Sequence, residues 1–316
     1  MSFLSGRSAD NALQKAFYTP DSPVAFSSQS ALIKKFKNKI RAPYIINWLA
    51  KQPIYSLTRV RKERFPRNKA IAHDVGFVHA DLSPHSKAIA KANKNCHQLL
   101  VICDTLTRKV DAVLVKNKTS EEMIKGMKTL LKRNKISILF TDRGTDFVST
   151  AFENFLKSKN IKHFYARNKH KSFLAEMSIR RIRERINKYL SHKRTKSFYS
   201  LLPAIVEGLN KQYNRNLKFA PSEITTPEAK KQAFENLYLS YLNKPSIAPK
   251  LEIGDRVRIA VHNSDFSKNY SRDNFSQEIF VISKVFPRKI PVYSVKDLAG
   301  EEIIGTWYIQ ELVKVE

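Results

Sequence analysis

The chain has 316 residues, 42% of them hydrophobic, which is enough for two or three domains with real cores. Its formal net charge of +29 indicates a polyanionic partner, most simply nucleic acid. Only two cysteines, Cys96 and Cys103, are present, which excludes a disulfide framework or a cysteine-rich zinc site. No apolar run approaches the roughly 20 residues that span a bilayer, so we expect no membrane role.

The positive charge is unevenly distributed along the chain. Residues 1–70 hold 14 basic and 3 acidic residues, and residues 162–196 hold 12 and 2. Residues 245–316 hold 10 of each. We therefore expect the first two regions to supply most of the attraction to phosphate.

The N-terminal part is predicted to be helical after a short arm. Residues 1–27 show little periodicity and are interpreted as a flexible N-terminal arm, with a short helix possible over 11–18. Residues 28–73 are predicted to form a helical domain, in which Pro43 suits the first turn of a second helix. The helix pair fits a helix-turn-helix DNA-binding domain and an ordinary helical hairpin about equally well.

The region 74–225 alternates between strand and helix patterns and predicts an α/β core. Strands are expected at 76–82, 98–104, 110–116, 136–141 and 161–165. Helices are expected after Thr119 and Ser149, and a further helix carries Glu176.

Three acids stand at points where such a core could form a site. Asp81 lies in the first strand, Asp142 directly follows strand 136–141, and Glu176 lies on a later helix. Strand 136–141 is expected beside strand 76–82, which would bring Asp142 next to Asp81. A lone Asp at a strand end is usually a turn or cap residue, but the ordered triplet is more specific. Three neighbouring carboxylates need cations between them, and Mg²⁺ suits oxygen ligands and phosphodiester chemistry.

The pattern Asp81…Thr141-Asp142-Arg143-Gly144-Thr145-Asp146-Phe147…Glu176 resembles the catalytic core of retroviral-type integrases, which have an RNase H-like fold. It is more closely similar to the integrases of Polinton/Maverick DNA transposons, whose later strand is matched by Ile161-Lys162-His163-Phe164. The resemblance implies a mixed five-stranded sheet with helices, preceded by an α-helical N-terminal domain.

This resemblance also implies an activity. The chain would be a DDE polynucleotidyl transferase in which Asp81, Asp142 and Glu176 hold two Mg²⁺ or Mn²⁺ ions. It would process the 3′ ends of mobile-element DNA and join them to target DNA, as a dimer or tetramer in the nucleus. Residues 1–70 contain neither Cys nor His, so no structural zinc is predicted.

Two other functions remain open at this stage. Relatives tend to have Arg and Asn shortly after the glutamate, whereas this chain has Met177, Ser178 and Ile179. A domesticated DNA-binding protein without catalysis is therefore an alternative. An RNase H-like nuclease that hydrolyses without joining is a third.

Basic residues around Glu176 are the predicted DNA contacts. They are Lys169 and Lys171 in the loop 166–173, and Arg180 and Arg183 on the helix. Glu176 and Arg180 are four residues apart and share a helix face, so a salt bridge between them is the alternative.

The C-terminal part is predicted to be a separate β domain. A helical linker spans 226–249, with its helix over 226–243. Residues 250–316 contain several short strands with turns between them, which predicts a small barrel. The resemblance implies an SH3-like or chromo-like domain, and its neutral charge leaves its partner open.

Overall fold

The computed structural model describes residues 3–59, 65–144, 146–166, 172–261 and 273–315. The chain divides into two compact units. Unit 1 comprises residues 1–68 and 246–316, and unit 2 comprises residues 69–245. Every helix within the described ranges is too short or too polar to span a lipid bilayer.

The N-terminal part of unit 1 is helical. Its helices are α1 Gly6–Tyr18, α2 Gln29–Lys35, α3 Ala42–Ala50 and α4 Pro53–Leu57. Ala9, Leu13 and Phe17 recur every four residues on one face of α1 and are buried in a cluster with Trp48. The helix therefore starts five residues before the short helix expected over 11–18, and residues 6–10 are packed where the sequence analysis expected a flexible arm. The helix-turn-helix interpretation of α2 and α3 stays a prediction.

Unit 2 is built on the mixed five-stranded sheet that the sequence predicted. Its strands are β1 Phe77–Pro84, β2 Gln98–Asp104, β3 Val110–Val115, β4 Ile138–Thr141 and β5 Lys162–Tyr165. The strand order is β3-β2-β1-β4-β5. The first three strands pair antiparallel, β4 pairs parallel to β1, and β5 pairs parallel to β4.

Helices cover both faces of this sheet. They are α5 Lys87–Ala92, α6 Ser120–Leu131, α7 Thr150–Ser158, α8 Phe173–Lys193, α9 Leu202–Asn210, α10 Pro227–Phe234 and α11 Ser240–Leu242, with a π-helical turn Glu235–Leu239 between the last two. One core lies between the sheet and the α6–α7 pair, where Val78 and Leu139 are buried. The other lies under α8 and α9, where Ile182 packs near Val101.

The C-terminal part of unit 1 is an antiparallel sheet. Its strands are β6 Arg256–Ile259, β7 Phe280–Phe286, β8 Val292–Lys296, β9 Trp307–Tyr308 and β10 Leu312–Val315. The strand order is β10-β6-β7-β8-β9. This sheet is compatible with the predicted SH3-like barrel, which stays a prediction.

A buried arginine ties α4 to this sheet within unit 1. Arg258 on β6 is 7% exposed, and its Nε donates to the Ser56 hydroxyl at 3.1 Å. Its Nη1 donates to the Ser276 carbonyl at 2.8 Å and also to the Gln277 carbonyl. Because its hydrogen bonds join segments far apart in sequence, Arg258 holds the N-terminal and C-terminal parts of unit 1 together.

We predict that Arg258→Leu destabilises unit 1 by about 2–3 kcal/mol, since it leaves buried oxygens without their charged donor. The only tryptophans, Trp48 and Trp307, both lie in unit 1, so tryptophan fluorescence during urea unfolding reports this unit. Arg256→Leu is the matched control, because Arg256 is exposed on the same strand. Equal losses in the two variants would contradict the role given to Arg258.

Candidate active site at the carboxyl ends of β1 and β4

The carboxyl ends of β1 and β4 carry two of the predicted acids. The strands pair in parallel with His79 opposite Phe140. Continuing that register brings Asp81, which is still in β1, opposite Asp142, which directly follows β4. Neighbouring strands lie about 4.8 Å apart. The predicted pairing of these two strands is therefore confirmed, and it makes the two acidic positions neighbours.

Two contacts set α8 alongside β1. The Ser172 hydroxyl, just before α8, lies 3.2 Å from His79 Nδ1. Farther along the helix, the Arg183 guanidinium donates to the Pro84 carbonyl at the end of β1. From His79 to Pro84 the strand spans about 16 Å. From Ser172 to Arg183 the helix also spans about 16 Å. The helix and strand therefore run side by side in the same direction.

Glu176 lies between these anchors at the level of Asp81. The Glu176 amide donates to the Ser172 carbonyl at 3.0 Å in the first helical turn, about 6 Å along the helix axis. Asp81 lies two residues beyond His79, about 7 Å along the strand and on the same sheet face. The face of β1 that carries Asp81 is therefore the face along which α8 runs.

Local hydrogen bonds orient the carboxylates on the strands. Asp81 Oδ1 accepts the Leu82 amide at 2.8 Å. Asp142 Oδ1 accepts the Gly144 amide at 3.1 Å. Asp146, which the sequence pattern placed near the site, forms an ion pair with Lys118 at 2.7 Å.

The donor types fit a metal, but the side chains do not converge. Carboxylate oxygens are the ligands that Mg²⁺ prefers. Among the residues that the structure describes, no three His, Cys, Asp or Glu side chains are gathered closely enough to hold a metal ion. The predicted roles of Asp81, Asp142 and Glu176 as metal ligands therefore belong to the proposal below.

The predicted DNA contacts have different surroundings. Lys169 and Lys171 lie outside the described residues. Arg180 is exposed on α8 one turn after Glu176, so it is accessible to phosphate. Arg183 is half-buried and already donates to the end of β1, which gives it a structural function.

Sequence reasoning missed two features of this site. One is the contact of Ser172 with His79, which fixes where α8 begins. The other is a pair of exposed apolar side chains beside Glu176, since Phe173 is 63% and Met177 is 37% exposed. Their four-residue spacing on a predicted helix, beside buried Ala175 and Ile179, could have indicated the exposed pair.

The match to a known protein family falls inside unit 2. Residues 87–171 match the integrase core domain. The matched range includes Asp142 and lies between Asp81 and Glu176. A transposon-derived protein of Caenorhabditis elegans is 22% identical over 193 residues, covering 60% of this chain. The chain spans 64% of that protein's length.

A chain of one solved retroviral intasome shares the fold. A chain of the simian T-cell lymphotropic virus intasome, solved with the PP2A regulatory subunit B56 gamma, has a TM-score of 0.59 and 15% identity. The similarity covers 92% of this chain and 99% of that one. The HTLV-2 integrase catalytic core, solved with magnesium, has a TM-score of 0.40 and 23% identity, covering 48% and 96% of the respective chains. The intasome similarity supports the predicted integrase-type fold.

A half-buried histidine, His85, directly follows β1. The His85 ring packs against Phe198 with 5.3 Å between centroids, and its Nε2 is buried without a partner. Burial, assisted by the nearby Arg183 charge, lowers the pKa of His85 from 6.5 to about 4. The unfolded chain therefore binds a proton there at a higher pH than the folded chain does.

We predict that stability falls as the pH drops from about 6.5 towards about 4, because the unfolded state takes up this proton and the folded state does not. In His85→Gln the unfolding reaction should take up as much as one proton less in this range, so the free energy of unfolding should depend less steeply on pH. Urea unfolding followed by circular dichroism across this pH range measures it. His192→Gln, which removes an exposed imidazole from the same unit, is the control. An unchanged profile in His85→Gln would contradict the prediction.

Proposed function

We propose that this protein is a DDE polynucleotidyl transferase of the retroviral-like integrase type, which trims the 3′ ends of mobile-element DNA and joins them to target DNA. The integrase core match over residues 87–171 and the transposon-derived relative support this function. The net charge of +29 suits a DNA substrate. Assignment to the Polinton/Maverick type rests on the sequence motifs around Asp142 and Ile161–Phe164.

The proposal rests mainly on the register of β1 with β4 and on the two contacts that set α8 beside β1. The pairing of His79 with Phe140, continued by two residues, supports Asp81 and Asp142 as neighbours, and the contacts of Ser172 and Arg183 with β1 support Glu176 near Asp81. The three acids would hold two Mg²⁺ or Mn²⁺ ions, which when bound activate the attacking oxygen and stabilise the leaving one. The attacking groups are water for trimming and the new 3′ hydroxyl for joining.

The basic face of α8 would hold the substrate. Arg180 lies on the exposed surface one turn beyond Glu176, where a guanidinium can bind a DNA phosphate. In our proposal Lys169 and Lys171 add further phosphate contacts. Joining requires two DNA ends to be held together, so we propose a dimer or tetramer on DNA, acting in the nucleus.

A domesticated DNA-binding protein is the second candidate. The described residues contain no ready-made metal-holding group, and Met177-Ser178-Ile179 departs from the pattern of relatives. Ser178 donates to the Leu174 carbonyl at 2.8 Å, and Ile179 is buried against the sheet. Both residues thus serve helix packing rather than a substrate.

We predict that Glu176→Gln and Asp142→Asn lower strand transfer by at least about a hundredfold, because each removes a negative charge that would hold the metal ions at the reacting phosphate. The assay joins a labelled duplex carrying candidate element ends to a supercoiled target with Mg²⁺ or Mn²⁺. Glu184→Gln is the matched control, since it removes the same charge from an exposed position on the same helix.

DNA affinity measured in parallel separates the two candidates. Both site variants should keep binding DNA, with log K falling by about 0.9 per log unit of salt for each neutralised phosphate. Joining that persists in Glu176→Gln and Asp142→Asn would reject the assigned site. A wild-type protein that binds DNA tightly and never joins it would favour the domesticated function.

A further inference from the structure

The segment that carries Asp142 (described residues 142–144, 146 and 147) is held at both ends by side chains of neighbouring elements. At its start, the buried Thr141 hydroxyl donates to the Asp142 carbonyl at 2.8 Å and lies 3.0 Å from His163 Nε2. At its end, the Tyr165 hydroxyl lies 3.2 Å from the Phe147 carbonyl. Both ends of the segment are therefore connected to β5.

Both connections meet on one carboxylate. Glu153 Oε1 lies 2.7 Å from His163 Nδ1 and also accepts the Tyr165 hydroxyl, whose one proton is shared with the Phe147 carbonyl. His163 and Tyr165 are two residues apart on β5, so they face the same side of the sheet. Glu153 lies in the first turn of α7, where the Ser149 hydroxyl accepts the Phe152 amide at 3.3 Å and caps the helix.

Burial and hydrogen bonding favour one ionisation state each for His163 and Glu153. The His163 side chain is 3% exposed and the Glu153 side chain is 25% exposed. Burial lowers the pKa of His163 despite the nearby carboxylate. Burial opposes ionisation of Glu153, but hydrogen bonds from Tyr165 and His163 outweigh it and lower its pKa. At neutral pH an ionised Glu153 therefore accepts Nδ1–H of a neutral His163 ring, and Nε2 shares the single Thr141 hydroxyl proton with the Asp142 carbonyl.

We propose that Glu153 is a positioning residue that holds both ends of the Asp142 segment, so that the Asp142 carboxylate keeps a fixed orientation. The carboxylate is itself bonded to the Gly144 amide inside that segment, so movement of the segment moves the acid. The catalytic consequence rests on the proposed strand-transfer function. Glu153 acts through His163, Thr141 and Tyr165. None of these hydrogen bonds joins Glu153 directly to Asp142.

Removing Glu153 should leave His163 and Tyr165 without the carboxylate that orients them, which loosens both ends of the segment. Glu153→Ala should lower strand transfer at saturating DNA roughly tenfold to a hundredfold, because small displacements of a reacting group have effects of this size. The DNA concentration for half-saturation should not change. Glu153→Gln should recover most of the rate, since its amide oxygen can accept from both His163 and Tyr165.

A matched control separates positioning from stability. Asn134 donates to Asp111 Oδ2 at 2.7 Å in the same unit, and neither residue belongs to the Asp142 segment. Asn134→Ala should lower the melting temperature while leaving strand transfer unchanged. A loss of strand transfer in Asn134→Ala equal to that in Glu153→Ala would reduce the effect to stability and overturn the proposal.

Hydrogen–deuterium exchange tests the proposal without any enzyme activity. Amides of residues 142–147 should exchange at least about tenfold faster in Glu153→Ala and at the wild-type rate in Glu153→Gln. If the wild-type protein shows no strand transfer, the proposed function is rejected. The exchange result still decides whether Glu153 positions the Asp142 segment. Unchanged exchange in Glu153→Ala, or equal acceleration in both variants, would overturn it. If Glu153→Ala does not fold, Tyr165→Phe releases the Phe147 end alone, and unchanged exchange there would also overturn it.

Discussion

The parallel pairing of β1 with β4 is the interaction on which the candidate site depends. It joins the antiparallel part of the sheet to the parallel part, and its register makes Asp81 and Asp142 neighbours. A slip of one residue would turn one of the strands over and send its acid to the opposite face. Such a slip would also expose Val78 or Leu139, which are fully buried against α6 and α7. The hydrophobic core therefore sets the register of the acids.

The long helix α8 completes this arrangement because it is anchored at two points of β1. Ile182 and Ile186 bury one side of the helix under the sheet, which leaves Arg180 on the opposite side in water. The same packing that fixes the position of Glu176 therefore also directs positive charge outwards. In our proposal, this one helix provides parts of both the carboxylate site and the phosphate-binding surface.

Unit 1 depends on a different kind of contact. Its helices and its antiparallel sheet come from opposite ends of the chain, and Arg258 joins them through hydrogen bonds to Ser56 and to two carbonyls. A buried charge is tolerated there because its hydrogen-bond donors are matched by oxygens. The basic N-terminal region up to residue 68 thus belongs to the same unit as a sheet of neutral composition, which we expect to give the basic residues a stable scaffold.

The sequence alone determined the order of strands and helices in unit 2, the pairing of strand 136–141 with strand 76–82, and the placement of Asp142 at a strand end. The order of the elements and the place of Asp142 follow from local apolar patterns, because alternation and helical periodicity depend only on near neighbours. The strand pairing joins distant segments and was expected from the resemblance to integrases. Only the tertiary structure decided that α1 packs, that Ser172 contacts His79, that Glu153 joins His163 to Tyr165, and that Arg258 reaches Ser56. The contacts of Ser172 and Arg258 join residues 93 and 202 positions apart, and local periodicity carries no information at that separation.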